Sequence, residues 1–207
     1  AILADSGGPG KWRGGCGVEK GGTLTDAHQT VMSYCCDRAR SVTWGIEGGL
    51  PSLPHGVWLN KGREGERFLG AVFSGVPIVP GDYFTRPSAG GGGFGDPLDR
   101  DVKAVLADVE DGYVTIPGAK RDYGVVVEEI DADLCEYRLD LAATQTAREA
   151  IRSLRRGWLE EDPASVAARY QAGEVDVMEC VRRYGVILHW GTGELFPETT
   201  RQFREMV

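Results

Sequence analysis

Two hydrophobic rhythms divide this chain near Pro97. Before it, short apolar runs over residues 30–36, 56–60 and 67–73 alternate with polar positions or stand as brief continuous stretches. Such runs predict strands. Turn clusters separate them: Glu47-Gly48-Gly49, Lys61-Gly62-Arg63-Glu64-Gly65 and Pro80-Gly81-Asp82. The segment from Gly56 to Phe73 reads as a hairpin around a charged, glycine-containing loop. After Pro97 the apolar spacing lengthens to that of helices. The predicted fold class is therefore α+β: a glycine-rich antiparallel β unit, barrel-like and with extended segments, followed by a helical tail.

The tail repeats itself. At an offset of 61 residues, Asp101–Val127 aligns without gaps on Asp162–Leu188, matching Asp101/Asp162, Val105/Val166, Gly112/Gly173, Arg121/Arg182, Tyr123/Tyr184 and Gly124/Gly185. Each copy predicts a helix capped by Asp, a second short helix opened by Thr115 or Asp176, a glycine stop, a short apolar strand and a closing helix. The closing helices are expected over 144–156 and 199–207. The tail is thus a duplicated helix-helix-strand-helix arrangement, with segments 98–157 and 158–207, after a β unit over 1–97. Repeated units of this kind chiefly bury apolar stripes against neighbours, so Tyr123 and Tyr184 read as packing residues.

Glycine sharpens the division. Of 30 glycines, 22 lie at or before Gly95, and Gly90 to Gly93 are consecutive. Glycine inside regular structure costs roughly 0.5–1 kcal/mol against alanine, so such a run marks either a flexible linker or a place where no Cβ fits. Charge divides too: residues 1–95 carry 9 Lys+Arg against 8 Asp+Glu, while 96–207 carry 14 against 23. The acidic excess argues against nucleic acid and anionic membranes as partners. Five cysteines (Cys16, Cys35, Cys36, Cys135 and Cys180) show no metal-site spacing and suit buried thiols in a reducing, cytoplasmic setting.

Candidate chemistry is sparse. His28, His55 and His189 are dispersed; His28 has Asp26 two residues before it, a weak pairing. The two glycine-rich loops, 7–17 and 90–96, offer the candidate anion- or partner-contacting residues Arg13, Gly14, Gly15, Gly91, Gly92, Gly93 and Asp96, because consecutive backbone N–H groups can cradle anions. Neither loop runs into a helix with the Lys-Ser/Thr of a phosphate-binding loop, and close backbone packing is the competing reading. No metal site is predicted.

Taken together, Gly8-Pro9-Gly10-Lys11-Trp12-Arg13-Gly14-Gly15-Cys16-Gly17, Pro80-Gly81-Asp82, the run 90–97 and Arg121-Asp122-Tyr123-Gly124-Val125-Val126 resemble, in that order, the hydantoinase B/5-oxoprolinase C-terminal family. The resemblance covers about residues 6–150. The remainder is similar to the tail extension of longer members, nearer to acetone and acetophenone carboxylase subunits than to simple hydantoinases. It implies the C-terminal part of a hydantoinase B-type subunit, partnered by the rest of that subunit and by a hydantoinase A-type ATP-binding subunit. ATP and Mg are then expected on the partner, and a divalent metal in the region that would precede Ala1. The implied activity is ATP-dependent carboxylation of a ketone, with ATP-dependent opening of a lactam or hydantoin ring as the alternative. A third possibility, from another class, is a non-catalytic assembly module.

Overall fold

The computed structural model describes residues 1–27, 30–37 and 41–206. Six strands occur in the first half: β1 (Glu19–Thr23), β2 (Thr30–Cys35), β3 (Val57–Leu59), β4 (Arg67–Gly70), β5 (Val72–Ile78) and β6 (Tyr83–Pro87). They form an antiparallel sheet in the order β1-β6-β3-β4 and a separate β2-β5 ribbon. The predicted hairpin is present, with Trp58 opposite Phe68 and Leu59 opposite Arg67. The expected single strand over 67–73 is split instead. Gly70 takes φ 79°, a left-handed turn that suits glycine, and the chain leaves β4 to pair with β2. The described strands do not close into a barrel, which corrects the barrel-like expectation.

Six helices follow among the described residues: α1 (Val102–Glu110), α2 (Ile116–Tyr123), α3 (Leu141–Glu160), α4 (Pro163–Gln171), α5 (Val177–Arg182) and α6 (Pro197–Met206). Asp101 caps α1 through the Lys103 N–H, and Asp162 caps α4 through Ser165 N–H. Thr115 opens α2, while Asp176 and Glu179 close a reciprocal capping box on α5. Gly124 and Gly185 both stand at φ 61° after the second helix of each segment.

The closing helices tie back in matching fashion. Val126 N–H donates to Thr144 Oγ1 at 2.9 Å, and Ile187 N–H donates to Thr200 Oγ1 at 2.9 Å. Arg148 Nε donates to the Tyr123 carbonyl and Arg204 Nε to the Tyr184 carbonyl.

The two segments also differ. After Gly124 the chain builds a hairpin of β7 (Val126–Asp131) and β8 (Glu136–Asp140), whereas after Gly185 there is one isolated bridge, Leu188 to Leu195. Strand β8 was not expected. Helix α3 begins at Leu141 and runs to Glu160, longer than predicted, because Asp140 supplies its cap to Ala143 N–H.

Two clusters of buried apolar side chains lie among the described residues. One joins Val105, Val109, Val114, Tyr123, Val125 and Val127. The other joins Val166, Val177, Cys180, Tyr184, Val186, Ile187 and Phe203 with Val42 and Leu53 from the first half. Neither contains a residue of β1 to β6. The thiols are not uniformly buried: Cys180 is, Cys16 and Cys36 are half-buried, and Cys35 and Cys135 are exposed.

Candidate functional site

The glycine segments meet edge to edge. Gly8 N–H donates to Gly91 O, Gly14 N–H to Gly8 O, Gly91 N–H to Gly15 O, Gly93 N–H to Leu50 O, and Ile46 N–H to Gly93 O. Three extended stretches, around 7–17, 45–50 and 90–95, thereby satisfy one another's backbone groups without belonging to a regular sheet. Their spacing forbids side chains. A Cβ on Gly14 would lie 2.7 Å from Gly92 O, and one on Gly92 would lie 2.5 Å from the Trp44 carbonyl carbon. At Gly15, by contrast, nothing lies within 4 Å of an added Cβ.

This geometry places the predicted site residues. The N–H groups of Gly14, Gly91 and Gly93 donate to carbonyls within the layer. Gly15 is exposed, and Gly92 sits against Trp44. Arg13 pairs with Asp108 at 3.2 Å, donates to Gly14 O at 2.8 Å and lies over the Tyr113 ring. Asp96 caps the short 3-10 turn Pro97–Asp99 through Leu98 N–H and accepts two bonds from Arg155, at 2.8 and 2.9 Å. Burial alone would raise the Asp96 pKa; the Arg155 guanidinium and the Leu98 N–H outweigh it and hold the carboxyl below its usual range. Thus Asp96 fastens the end of the glycine run to α3.

A second clamp was not foreseen from sequence. Arg182 is almost fully buried: Nη1 reaches Asp122 at 2.8 Å, Nε reaches Pro51 O, and Nη2 reaches Asp5 O and Gly7 O. Asp122 also takes both arms of Arg121. Burial pushes the Asp122 pKa upward, yet the two guanidiniums hold it lowered overall. One arginine of α5 therefore gathers the first glycine segment, the loop before β3 and helix α2. The match of Arg121 with Arg182 was visible in the repeat, but not their convergence on one carboxylate.

The second grouping missed at sequence level surrounds Tyr34. Its hydroxyl lies 3.2 Å from His55 Nε2 and accepts from Arg86 Nη1 at 2.9 Å. His55 is 3 % exposed. Burial, and then the nearby Arg86 charge, lower its pKa. Residues 34, 55 and 86 belong to three separate stretches, so no spacing announces them. His189 instead packs edge-on against Phe68, and His28 lies outside the described residues. Among the described residues, no group of three or more His, Cys, Asp or Glu side chains is placed to hold one metal ion. No described helix is long and apolar enough to cross a membrane.

The chain is 32 % identical over 183 residues to the acetone carboxylase alpha subunit of Xanthobacter autotrophicus, covering 73 % of this chain and 23 % of that protein. It is 33 % identical over 153 residues to the caprolactamase subunit beta of Pseudomonas jessenii, covering 72 % of this chain and 25 % of that one. The chain thus spans about a quarter of the length of these relatives. The nucleotide-free structure of acetone carboxylase superposes with a TM-score of 0.64 at 26 % identity, over 99 % of this chain and 30 % of that one. The ATP-dependent caprolactamase structure superposes with a TM-score of 0.59 at 31 % identity, over 72 % and 25 %. Over residues 1–97 the chain belongs to the hydantoinase B/oxoprolinase family.

Proposed function

We propose that this chain is the C-terminal part of a hydantoinase B-type subunit in an ATP-dependent, multi-subunit ketone carboxylase of the acetone or acetophenone type. The observation that carries the choice is the extent of the likeness. The superposition on acetone carboxylase runs through 99 % of the chain, that on caprolactamase through 72 %. In this reading a hydantoinase A-type partner holds ATP with Mg, and carbonyl activation by phosphorylation belongs there. The rest of the hydantoinase B-type subunit holds a divalent metal, and the assembly is cytoplasmic.

The segment itself acts as a docking element rather than a catalytic one. Residues 1–97 form the end of a larger domain, and 98–157 and 158–207 serve as two copies of a helical unit packed against it. Trp12, Phe94 and Ile46 support this role. They are neighbours in register across three glycine-segment strands, yet stand 65 %, 50 % and 62 % exposed. Adjacent exposed apolar side chains of this size mark a contact surface. The candidate residues Arg13, Gly14, Gly15, Gly91, Gly92, Gly93 and Asp96 frame that same layer and contribute through it, as partner-contacting scaffold.

A second reading, an ATP-dependent lactam or hydantoin hydrolase, is supported by the 33 % identity to the caprolactamase subunit. The reconstituted complex separates the two. ATP turnover that requires acetone or acetophenone together with bicarbonate is expected; turnover with caprolactam or N-methylhydantoin, and not with ketone, moves the assignment to the hydrolase. Replacing both Trp12 and Phe94 by Ser is expected to reduce co-purification with the other subunits. Unchanged assembly would remove the docking role of that surface.

A further inference from the structure

Strand β1 and strand β6 set Lys20 directly opposite Arg86. Like charges facing one another across an antiparallel pair weaken it. The neighbouring carboxylate does not relieve them: Glu19, one position away on β1, accepts from Thr85 Oγ1, and successive side chains of a strand point to opposite faces. Several partly buried arginines elsewhere meet carboxylates, as Arg13 and Arg100 meet Asp108, Arg155 meets Asp96, and Arg182 meets Asp122, while Arg148 and Arg204 donate to backbone carbonyls. Neither Lys20 nor Arg86 has a carboxylate partner among the described residues.

Both cations line a cavity of about 270 Å³ whose other walls are Met32, Tyr34, Val57 and Phe84 beside Gly21. No carboxylate contributes to the lining. Arg86 is held in place from behind. One Nη1 donor goes to Tyr34 Oη, and the guanidinium lies 5.6 Å from the centre of the Tyr34 ring. On its other side the Tyr34 hydroxyl lies 3.2 Å from His55 Nε2. Tyr34 offers Arg86 a lone pair, and Arg86 forms part of the cavity wall.

We infer that this cavity is a recognition site for a monocarboxylate bearing an apolar group. Arg86 takes the carboxylate through its fork, Lys20 adds the second positive charge, and Met32, Val57 and Phe84 receive the apolar body. The planar Arg86 fork matches one carboxylate, Lys20 adds long-range attraction, and the apolar walls select against a small, fully hydrated anion. The carboxylate has two sources, a free acid or an Asp or Glu side chain from the remainder of the subunit; only that second source rests on the function proposed above.

Titration of the 207-residue chain with benzoate and with its neutral analogue benzamide, followed by the ring resonances of Phe84 and Tyr34, tests the site. Benzoate is expected to bind roughly tenfold or more tightly than benzamide. Arg86→Gln is expected to abolish that preference, and Arg86→Lys to restore part of it. Lys20→Gln, at an exposed position, is expected to weaken benzoate binding without loss of fold. Repeating the titration on the intact subunit identifies the source: benzoate bound by both forms indicates a free acid, and bound by the 207-residue chain alone indicates a side chain already in place. Equal affinity for benzoate and benzamide, no benzoate binding to the chain, or a preference unchanged in both Arg86→Gln and Lys20→Gln overturns the inference. Failure of the complex to carboxylate ketones leaves this titration unaffected, so the two proposals fail separately.

Discussion

In the tail, Val105, Val125, Val166 and Val186 are sealed among other side chains, whereas in the first half Gly8, Gly14 and Gly93 are sealed against carbonyl groups of neighbouring strands. The tail excludes water by filling space with apolar groups. The glycine layer does so by bringing backbones so close that no side chain fits between them. The strands beside that layer, β1 to β6, contribute no residue to either apolar cluster, and Val31 and Val72 stand 62 % and 71 % exposed. The tail is thus held chiefly by apolar packing, in which Val42 and Leu53 of the first half take part, while the glycine layer is held by backbone fit.

The largest effect is expected where backbone meets backbone. Gly92→Val places a branched side chain on the Trp44 carbonyl, a group with no rotamer to yield. Overpacking typically costs about 1–3 kcal/mol, and more where only backbone can move. Loss of a cooperative unfolding transition is expected; a transition near that of the wild type would break the comparison. Next comes Arg182→Met, at the junction of the two regions. It strips donors from the carbonyls of Pro51, Asp5 and Gly7 and one partner from Asp122. Breaking a buried pair costs about 3–5 kcal/mol, and a loss of unfolding free energy of that order is expected from equilibrium denaturation.

A tail probe should behave more gently. Val166→Ala removes two methyl carbons from a fully buried position and is expected to cost roughly 2 kcal/mol with the fold retained. If it abolished folding while Gly92→Val did not, the roles assigned to the two regions would be reversed. Smallest of these, Asp96→Asn weakens a pair whose side chains are each about a third exposed. About 1 kcal/mol or less is expected, with activity of the assembled complex largely kept. A large activity loss at unchanged stability would give Asp96 a chemical role instead of a fastening one.

Helix caps and stops in the tail were legible because they are local: Asp101, Thr115, Asp162 and Asp176 act on N–H groups within three residues. The two positions of glycine arrest, Gly124 and Gly185, were legible for the same reason. Strand β8 was not, since its alternation of Tyr137 and Leu139 spans only five residues and abuts a helix without a break. The break at Gly70 was hidden inside an apolar run that reads as one strand. The candidate loops were found by composition, but their partners were not: Gly8 meets Gly91 and Ile46 meets Gly93 across long stretches of chain, and a glycine carries no side chain to announce its neighbour. The Tyr34, His55 and Arg86 grouping escaped for the converse reason. Its members have informative side chains, but only the sheet topology brings them together.

The central claim, that the glycine layer is held by backbone fit rather than kept open for an anion, is tested most directly by two adjacent substitutions. Gly14→Ala and Gly15→Ala differ by one position and by nothing in chemistry. An added Cβ at Gly14 meets the Gly91 and Gly92 backbone, whereas at Gly15 it meets nothing within 4 Å. Equilibrium denaturation of both is expected to show Gly14→Ala destabilised by more than about 2 kcal/mol and Gly15→Ala within about 0.5 kcal/mol of the wild type. Equal midpoints for the two variants would contradict the account.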